Sequence, residues 1–229
     1  MVTHISDNIF DIPDFRNRIA VFKDRQHAGE VLAEMLSAYK NSNAIIFAIP
    51  AGGVPVGATI AAELKIPLEV AIVSKITLPW NTEAGYGAIA FDGTIRLNEG
   101  MIDRLGLSEN DVEKGIEKTR MKVRGRVEEF RKGKPPLKIS GKTAILVDDG
   151  IASGFTMKVA VEALKKSGAG KIIIAVPTAH LENIKQIVPQ VDEMYCPNIR
   201  SGWSFAVADA YEYWTDVTES EVNEILKEF

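Results

Sequence analysis

Residues 144–156 read AILVDDGIASGFT. An apolar run ends in two adjacent carboxylates, Asp148 and Asp149. A turn of small residues follows at Gly150, Ala152, Ser153 and Gly154, and helix-forming sequence begins after Thr156. The backbone N–H groups of such a turn, with the start of the next helix, make a cradle for phosphate. Ser153 and Thr156 add hydroxyl donors. The carboxylates repel phosphate and suit the hydroxyls of a sugar or a hydrated Mg2+ instead. Three other phosphate chemistries fail on spacing. No Gly-x4-Gly-Lys-Ser/Thr run exists, position 150 is glycine where an Asp-x-Asp phosphatase needs its second acid, and Gly52-Gly53-x-x-x-Gly57 is not a dinucleotide fingerprint. Spacing alone leaves open a plainer loop whose glycines turn the chain and whose acids are solvated.

The elements that must hold this loop have an alternating grammar. Residues 24–40 carry Val31, Leu32, Met35, Leu36 and Tyr39 on one face behind an Asp24 cap, which predicts a helix. The apolar runs 44–49, 68–75, 142–148 and 171–177, and a last one near 192–196, predict strands covered on both faces. Helices are expected between them at 54–64, 156–167 and 181–187. This pattern predicts an α/β fold, a parallel sheet with helices on both faces and the site at the strands' carboxyl ends. The strands ending at Ile49 and Val147 should then be neighbours. Residues 78–98 predict a Gly-rich loop feeding a hairpin at Asp92-Gly93. Residues 108–134 predict one long inserted helix with a Ser108/Asp111 capping box and Val112, Ile116, Thr119, Val123, Val127 and Phe130 on its apolar face. Thr218 and Glu221 signal a capped final helix.

Composition narrows the class. The chain has 229 residues, 46% hydrophobic and 25% charged, with a net charge of −4, so neither disorder nor a whole-chain nucleic-acid binder is indicated. Its single cysteine, Cys196, excludes an internal disulfide framework and a Cys-rich zinc site. The apolar runs are far short of a membrane span, and the acidic N-terminus is unlike a signal peptide. A soluble intracellular protein is expected, as one domain over residues 1–229. Its core would cover about 24–197 with a helical insertion at about 101–134, and a hood would form from about 1–23 and 198–229.

The stretch LVDDGIASGFT resembles the 5-phosphoribosyl-1-pyrophosphate (PRPP) motif of type I phosphoribosyltransferases. IPAGGVPVG (49–57), VSKI (73–76) and NTEAGYGAIAFDG (81–93) resemble one branch of that family, in the same order, and the resemblance covers roughly residues 20–215. It implies Mg2+-dependent transfer of the phosphoribosyl group from PRPP to a nucleobase-like acceptor, by a protein that is usually a homodimer. It also implies roles. Asp148 and Asp149 would meet the ribose hydroxyls directly or through Mg2+, and Gly150, Ile151, Ala152, Ser153, Gly154, Phe155 and Thr156 would hold the 5′-phosphate. Ala51, Gly52 and Gly53 would hold pyrophosphate, around a non-proline peptide bond of the kind the family strains there, and Lys75, ending its strand, would pair with it. Residues 78–87 would be a closing loop with Asn81 and Glu83 near the reacting centre.

Two departures stand out. The branch carries arginine where this chain has Ala51, and Ala152 stands where 6-oxopurine enzymes carry an aspartate base. Six aromatics fall in residues 198–229 (Trp203, Phe205, Tyr211, Tyr213, Trp214 and Phe229), suited to stacking on a base or to ordinary packing. The second reading is a PRPP- or nucleotide-sensing regulator without turnover. The nine basic against three acidic residues of 114–134 would then offer it an RNA-facing stripe.

Overall fold

A computed structural model describes residues 3–229, apart from the side chains of residues 3–6, 82 and 83. In chain order the strands are β1 (Thr3–Ser6), β2 (Ile9–Asp11), β3 (Ile45–Ala48), β4 (Leu68–Val70), β5 (Val73–Leu78), β6 (Asn81–Ala90), β7 (Ile95–Leu97), β8 (Thr143–Val147), β9 (Lys171–Ala175), β10 (Thr178–His180), β11 (Glu193–Tyr195) and β12 (Asn198–Arg200). The helices are α1 (Arg25–Met35), α2 (Gly53–Leu64), α3 (Glu99–Leu105), α4 (Glu109–Arg131), α5 (Phe155–Lys166), α6 (Leu181–Ile187) and α7 (Glu219–Ile225). None of these helices is long and apolar enough to cross a membrane.

Seven strands form the main sheet in the order β1-β2-β11-β9-β8-β3-β4, parallel throughout except for β1. Alternation along each strand sorts the core into two layers. Ile45 and Phe47, Ala144 and Leu146, and Ile172 and Ile174 pack with Met157, Val161 and Leu164 of α5 and Ile184 of α6. Ile46, Ala48, Ile145, Val147, Ile173 and Ala175 face the other way, against Leu32 of α1 and Val54 and Ile60 of α2. Both faces being buried, the strands are apolar at every position, as the uninterrupted runs predict. β3 and β8 are neighbours with Ala48 opposite Val147. The chain leaves β3 for β4 on one side and β8 for β9 on the other, so a crevice opens between their carboxyl ends.

Several boundaries differ from expectation. The run at 68–75 is two strands. β4 closes the edge of the main sheet, the chain leaves it at Ala71-Ile72, and β5 pairs antiparallel with β6 in a separate three-stranded sheet. Lys75 is therefore the third residue of β5, opposite Ala88, and does not end a strand. Residues 78–98, expected as a Gly-rich loop feeding a hairpin, hold the hairpin with less loop than expected, since Asn81–Ala90 is the strand β6. Glycine lowers strand propensity, but at Gly87 it admits Arg96 O and Leu97 Cδ2 to within 2.8 Å of where a Cβ would stand. The Asp92-Gly93 turn is present, with Asp92 Oδ1 accepting from Thr94 N at 2.9 Å and Gly93 at φ +89°. The first helix ends at Met35 and continues only as a tight turn at Ser37–Tyr39. Residues 3–11 pair with one another and with β11, so they extend the main sheet instead of joining a hood.

The long helix stands as expected, with its capping box at Ser108/Asp111 and its end at Lys132 and Gly133, both at positive φ. Gly115 weakens it for a reason, because the Tyr86 hydroxyl occupies the space a Cβ would need. A separate small core of Phe22, Ala28, Ala210 and Tyr211, with Phe15, Val31, Val207 and Trp214 around it, joins α1 to the segments at 15–22 and 207–214.

Candidate functional site

The crevice is built from two turns on adjacent strands. After β3 the chain passes a cis Pro50–Ala51 peptide bond and enters α2 through Gly52 and Gly53. After β8 it presents Asp148 and Asp149, runs through Gly150–Gly154 and enters α5. The two turns touch. A Cβ on Gly52 would overlap the Asp149 carboxylate, and one on Gly53 would lie 2.7 Å from Val147 O and 2.8 Å from Asp148 Cα. Only glycine allows this approach at either position. Residues about 95 apart in sequence thus form one surface, and Asp148 lies well within reach of anything bound at Gly52.

The second turn is fixed by its neighbours. Ile151 N donates to Thr178 O at 2.9 Å, and Asn183 Nδ2 donates to Ala152 O. Gly154 sits at φ +72° at the head of α5, a conformation that disfavours most other residues. Ala152 and Ser153 are exposed and Thr156 is half-buried at the head of α5, where Ser153 Oγ accepts from Phe155 N at 3.5 Å.

Asp149 is not a free carboxylate. Its Oδ2 accepts from Arg25 Nε at 2.9 Å and lies 2.9 Å from Nη2 in the same ion pair, while Arg25 Nη1 donates to Thr215 O at 2.7 Å. The guanidinium lies 3.9 Å from the Trp214 ring centre, and Tyr211 Oη donates to Asp149 O at 2.6 Å. Asp148 Oδ1 accepts from Asp149 N at 2.9 Å. Burial, reinforced by the charge on Asp149, holds the Asp148 carboxyl well above the usual carboxylate range. Burial also lifts Asp149, against the pull of Arg25. Arg25 opens α1 directly after the Asp24 cap; no spacing in the sequence ties it to residue 149, and the pair escaped sequence reading.

The remaining expected residues divide. Ala51 O accepts from Val54 N at 3.1 Å, and Ala51 packs against the core beside α2. Lys75 is exposed on the face of β5 and β6 that carries Val73, Ala88 and Ala90, residues that pack with the core of α5. Asn81 Oδ1 accepts from Ala84 N at 3.3 Å inside the hairpin, and the Glu83 side chain lies outside the described residues. The six hood aromatics also separate. Tyr211 and Trp214 belong to the Arg25 cluster, Tyr213 and Trp203 are exposed, and Phe229 lies beside Pro67 and Leu226 at the far sheet edge. Phe205 packs on His180 and Arg200 in the loop that follows β12. That loop is tied to the crevice, since Ile151 bridges Ala179, and β10 pairs with β12.

Of the basic residues on α4, Arg120, Arg126 and Arg131 pair with Glu117, Glu219 and Glu69. Lys114, Lys118 and Lys122 remain exposed along one face.

Comparison with known proteins agrees with this architecture. The family model described as the phosphoribosyl transferase domain matches residues 22–210. Two Mycobacterium tuberculosis proteins (strains CDC 1551 and H37Rv), both named provisionally as phosphoribosyl transferases, are 32% identical over 202 residues, which is 88% of this chain and 45% of each relative. The chain therefore spans somewhat under half the length of those curated relatives. The crystal structure of TT1426 from Thermus thermophilus superposes with a TM-score of 0.75 at 29% identity, covering 90% of this chain and 98% of that one. Two touching glycine and carboxylate turns on neighbouring parallel strands, in a chain matched over most of its length, mean that this protein belongs to the phosphoribosyl transferase domain family.

Proposed function

We propose that the crevice binds PRPP and that the chain transfers its 5-phosphoribosyl group to a nitrogenous base, releasing pyrophosphate. The observation that carries this reading is the abutment of the Gly52-Gly53 turn on the Asp148-Asp149 pair, with a helix head on each side. In this reading the 5′-phosphate takes the Gly150–Thr156 turn, where the head of α5 and the hydroxyls of Ser153 and Thr156 donate. The carboxylate pair faces the ribose hydroxyls. Pyrophosphate takes Ala51, Gly52 and Gly53 at the head of α2, with Lys75 and the β5–β6 hairpin, including Asn81 and Glu83, above the reacting carbon.

The donor set suits Mg2+ in the mode that a small hard cation favours. One or two carboxylates hold it, and water and substrate oxygens supply the rest. Held by Asp148 and Asp149, Mg2+ would neutralise charge on the pyrophosphate oxygens. The chain's own contribution is electrostatic and steric. As the bond from C1′ to pyrophosphate breaks, positive charge develops on the sugar and negative charge on the leaving group. The head of α2 and Lys75 meet the negative charge, and the hairpin keeps water from the sugar cation. Trp203 and Phe205 offer aromatic faces to the acceptor.

Incubation with PRPP, Mg2+ and a panel of purines and pyrimidines should release pyrophosphate with one of them and yield its nucleoside 5′-monophosphate. Ala51 leaves the pyrophosphate turn without a cation of its own, and this favours a second reading, a sensor. A sensor would bind PRPP with no pyrophosphate released by any acceptor. No calorimetric binding of PRPP, with or without Mg2+, would overturn both readings.

A further inference from the structure

Arg25 belongs to no motif, yet it is the most heavily engaged cation at the crevice. It is 9% exposed and contacts two separate parts of the chain, Asp149 and the 211–215 segment. Its Nε donates to Asp149 Oδ2 at 2.9 Å with Nη2 also 2.9 Å from that oxygen, its Nη1 donates to Thr215 O at 2.7 Å, and its plane lies against Trp214 at 3.9 Å. The carboxylate it grips is the one lying over Gly52, whose missing Cβ makes room for it. A buried arginine with its fork on one carboxylate oxygen leaves that carboxylate a single orientation. Tyr211 fixes the backbone of the same residue through Asp149 O at 2.6 Å.

We propose that Arg25 is a positioning residue which sets the Asp149 carboxylate to read the sugar hydroxyls, and that the site's preference for ribose over 2-deoxyribose passes through the Arg25–Asp149 pair. The inference rests on the reading of the crevice as a sugar-phosphate site. The 5′-phosphate cradle at Gly150–Thr156 makes none of these contacts to Arg25, so the phosphate and the hydroxyls are recognised by separable groups. A carboxylate free to rotate still carries its charge but no longer presents its oxygens at a fixed place, and geometric selection fails before phosphate binding does. Arg25→Lys keeps a cation there but loses the planar fork, so it should restore part of the preference.

The test compares ribose 5-phosphate with 2-deoxyribose 5-phosphate by calorimetry, on the wild type, Arg25→Met, Arg25→Lys, Asp149→Asn and the double variant Arg25→Met/Asp149→Asn. The wild type should favour the ribose sugar about tenfold, the size of one hydrogen bond to a charged group. Arg25→Met should bring the ratio close to one by weakening the ribose sugar alone, with Arg25→Lys between the two. The double variant should be no worse than the worse single variant, because Arg25 acts through Asp149. Equal weakening of both sugars by Arg25→Met would mean a merely structural role, and an unchanged ratio would mean none; either overturns the proposal. Should Arg25→Met fail to fold, an unchanged ratio in Arg25→Lys and Asp149→Asn would overturn it equally. If the wild type binds both sugar phosphates alike, there is no ribose preference for Arg25 to carry and the proposal falls; if it binds neither, the sugar-phosphate reading itself falls, a distinct outcome.

Discussion

Asp24, Asn98, Ser108, His180 and Thr218 each cap a helix with a side-chain acceptor, whereas α2 and α5 begin at Gly52 and Gly154 with none. The two uncapped helices start on the crevice floor itself, while of the capped ones α1 brings Arg25 against Asp149 and α6 brings Asn183 against Ala152. A side-chain cap contributes about 1 kcal/mol to a helix. At α2 the first two N–H groups are taken by Ile49 O and Ala51 O and the third residue is Pro55, so what α2 directs at the space above Asp148 and Asp149 is the positive end of its dipole, to which the head of α5 adds its own. The same trade appears in the carboxylates, which burial holds above their usual range. The contrast is that five helices carry a side-chain cap for stability, while the two that open the crevice turns carry none, which in the proposed reading serves an anion.

The comparison breaks most severely at Gly52. Gly52→Ala sets a methyl group into the Asp149 carboxylate and should weaken ribose 5-phosphate or PRPP binding by roughly a hundredfold, since at least two contacts at about 1.5 kcal/mol each are displaced. Gly125→Ala on α4, where a Cβ meets nothing, should instead stabilise the protein by about 1 kcal/mol with unchanged affinity. Calorimetry and thermal melts on the two variants check both halves, and equal ligand affinity in Gly52→Ala would remove the turn from the site.

A carboxylate at the head of α5 sharpens the contrast. Ser153→Asp at this exposed position should raise or preserve the melting temperature, because an acid at a helix N-terminus contributes about 0.3–1 kcal/mol. The same charge should lower ribose 5-phosphate affinity about tenfold, as expected for one lost hydroxyl donor and an added repulsion. A variant that binds the sugar phosphate as well as the wild type would show that the phosphate lies elsewhere. The smallest effect on ligand is expected from the closed helices. Ser108→Ala, which removes the capping box of α4, should cost about 1 kcal/mol in urea unfolding and leave affinity untouched.

What could be read in the sequence is what neighbours in the chain decide. The apolar runs at 44–49, 142–148 and 171–177 became β3, β8 and β9, because burial on both faces imposes a pattern within each segment. The capping boxes at Ser108/Asp111 and Thr218/Glu221 and the Asp92-Gly93 turn lie within a few residues of themselves and were legible for that reason. The carboxylate-glycine loop is contiguous, and so is its chemistry.

Tertiary structure alone decided the rest. The switch of sheets at Ala71-Ile72 depends on whether β3 or β6 offers the next backbone partner, and an apolar residue pairs equally well with either. Residues 3–11 joined the main sheet because β11 presents an open edge, which no local pattern announces. Most of all, the partner of Asp149 lies 124 residues away at Arg25. A charge finds its counterion through the packing of α1, the hood and the crevice together, and a single sequence records only that both charges exist.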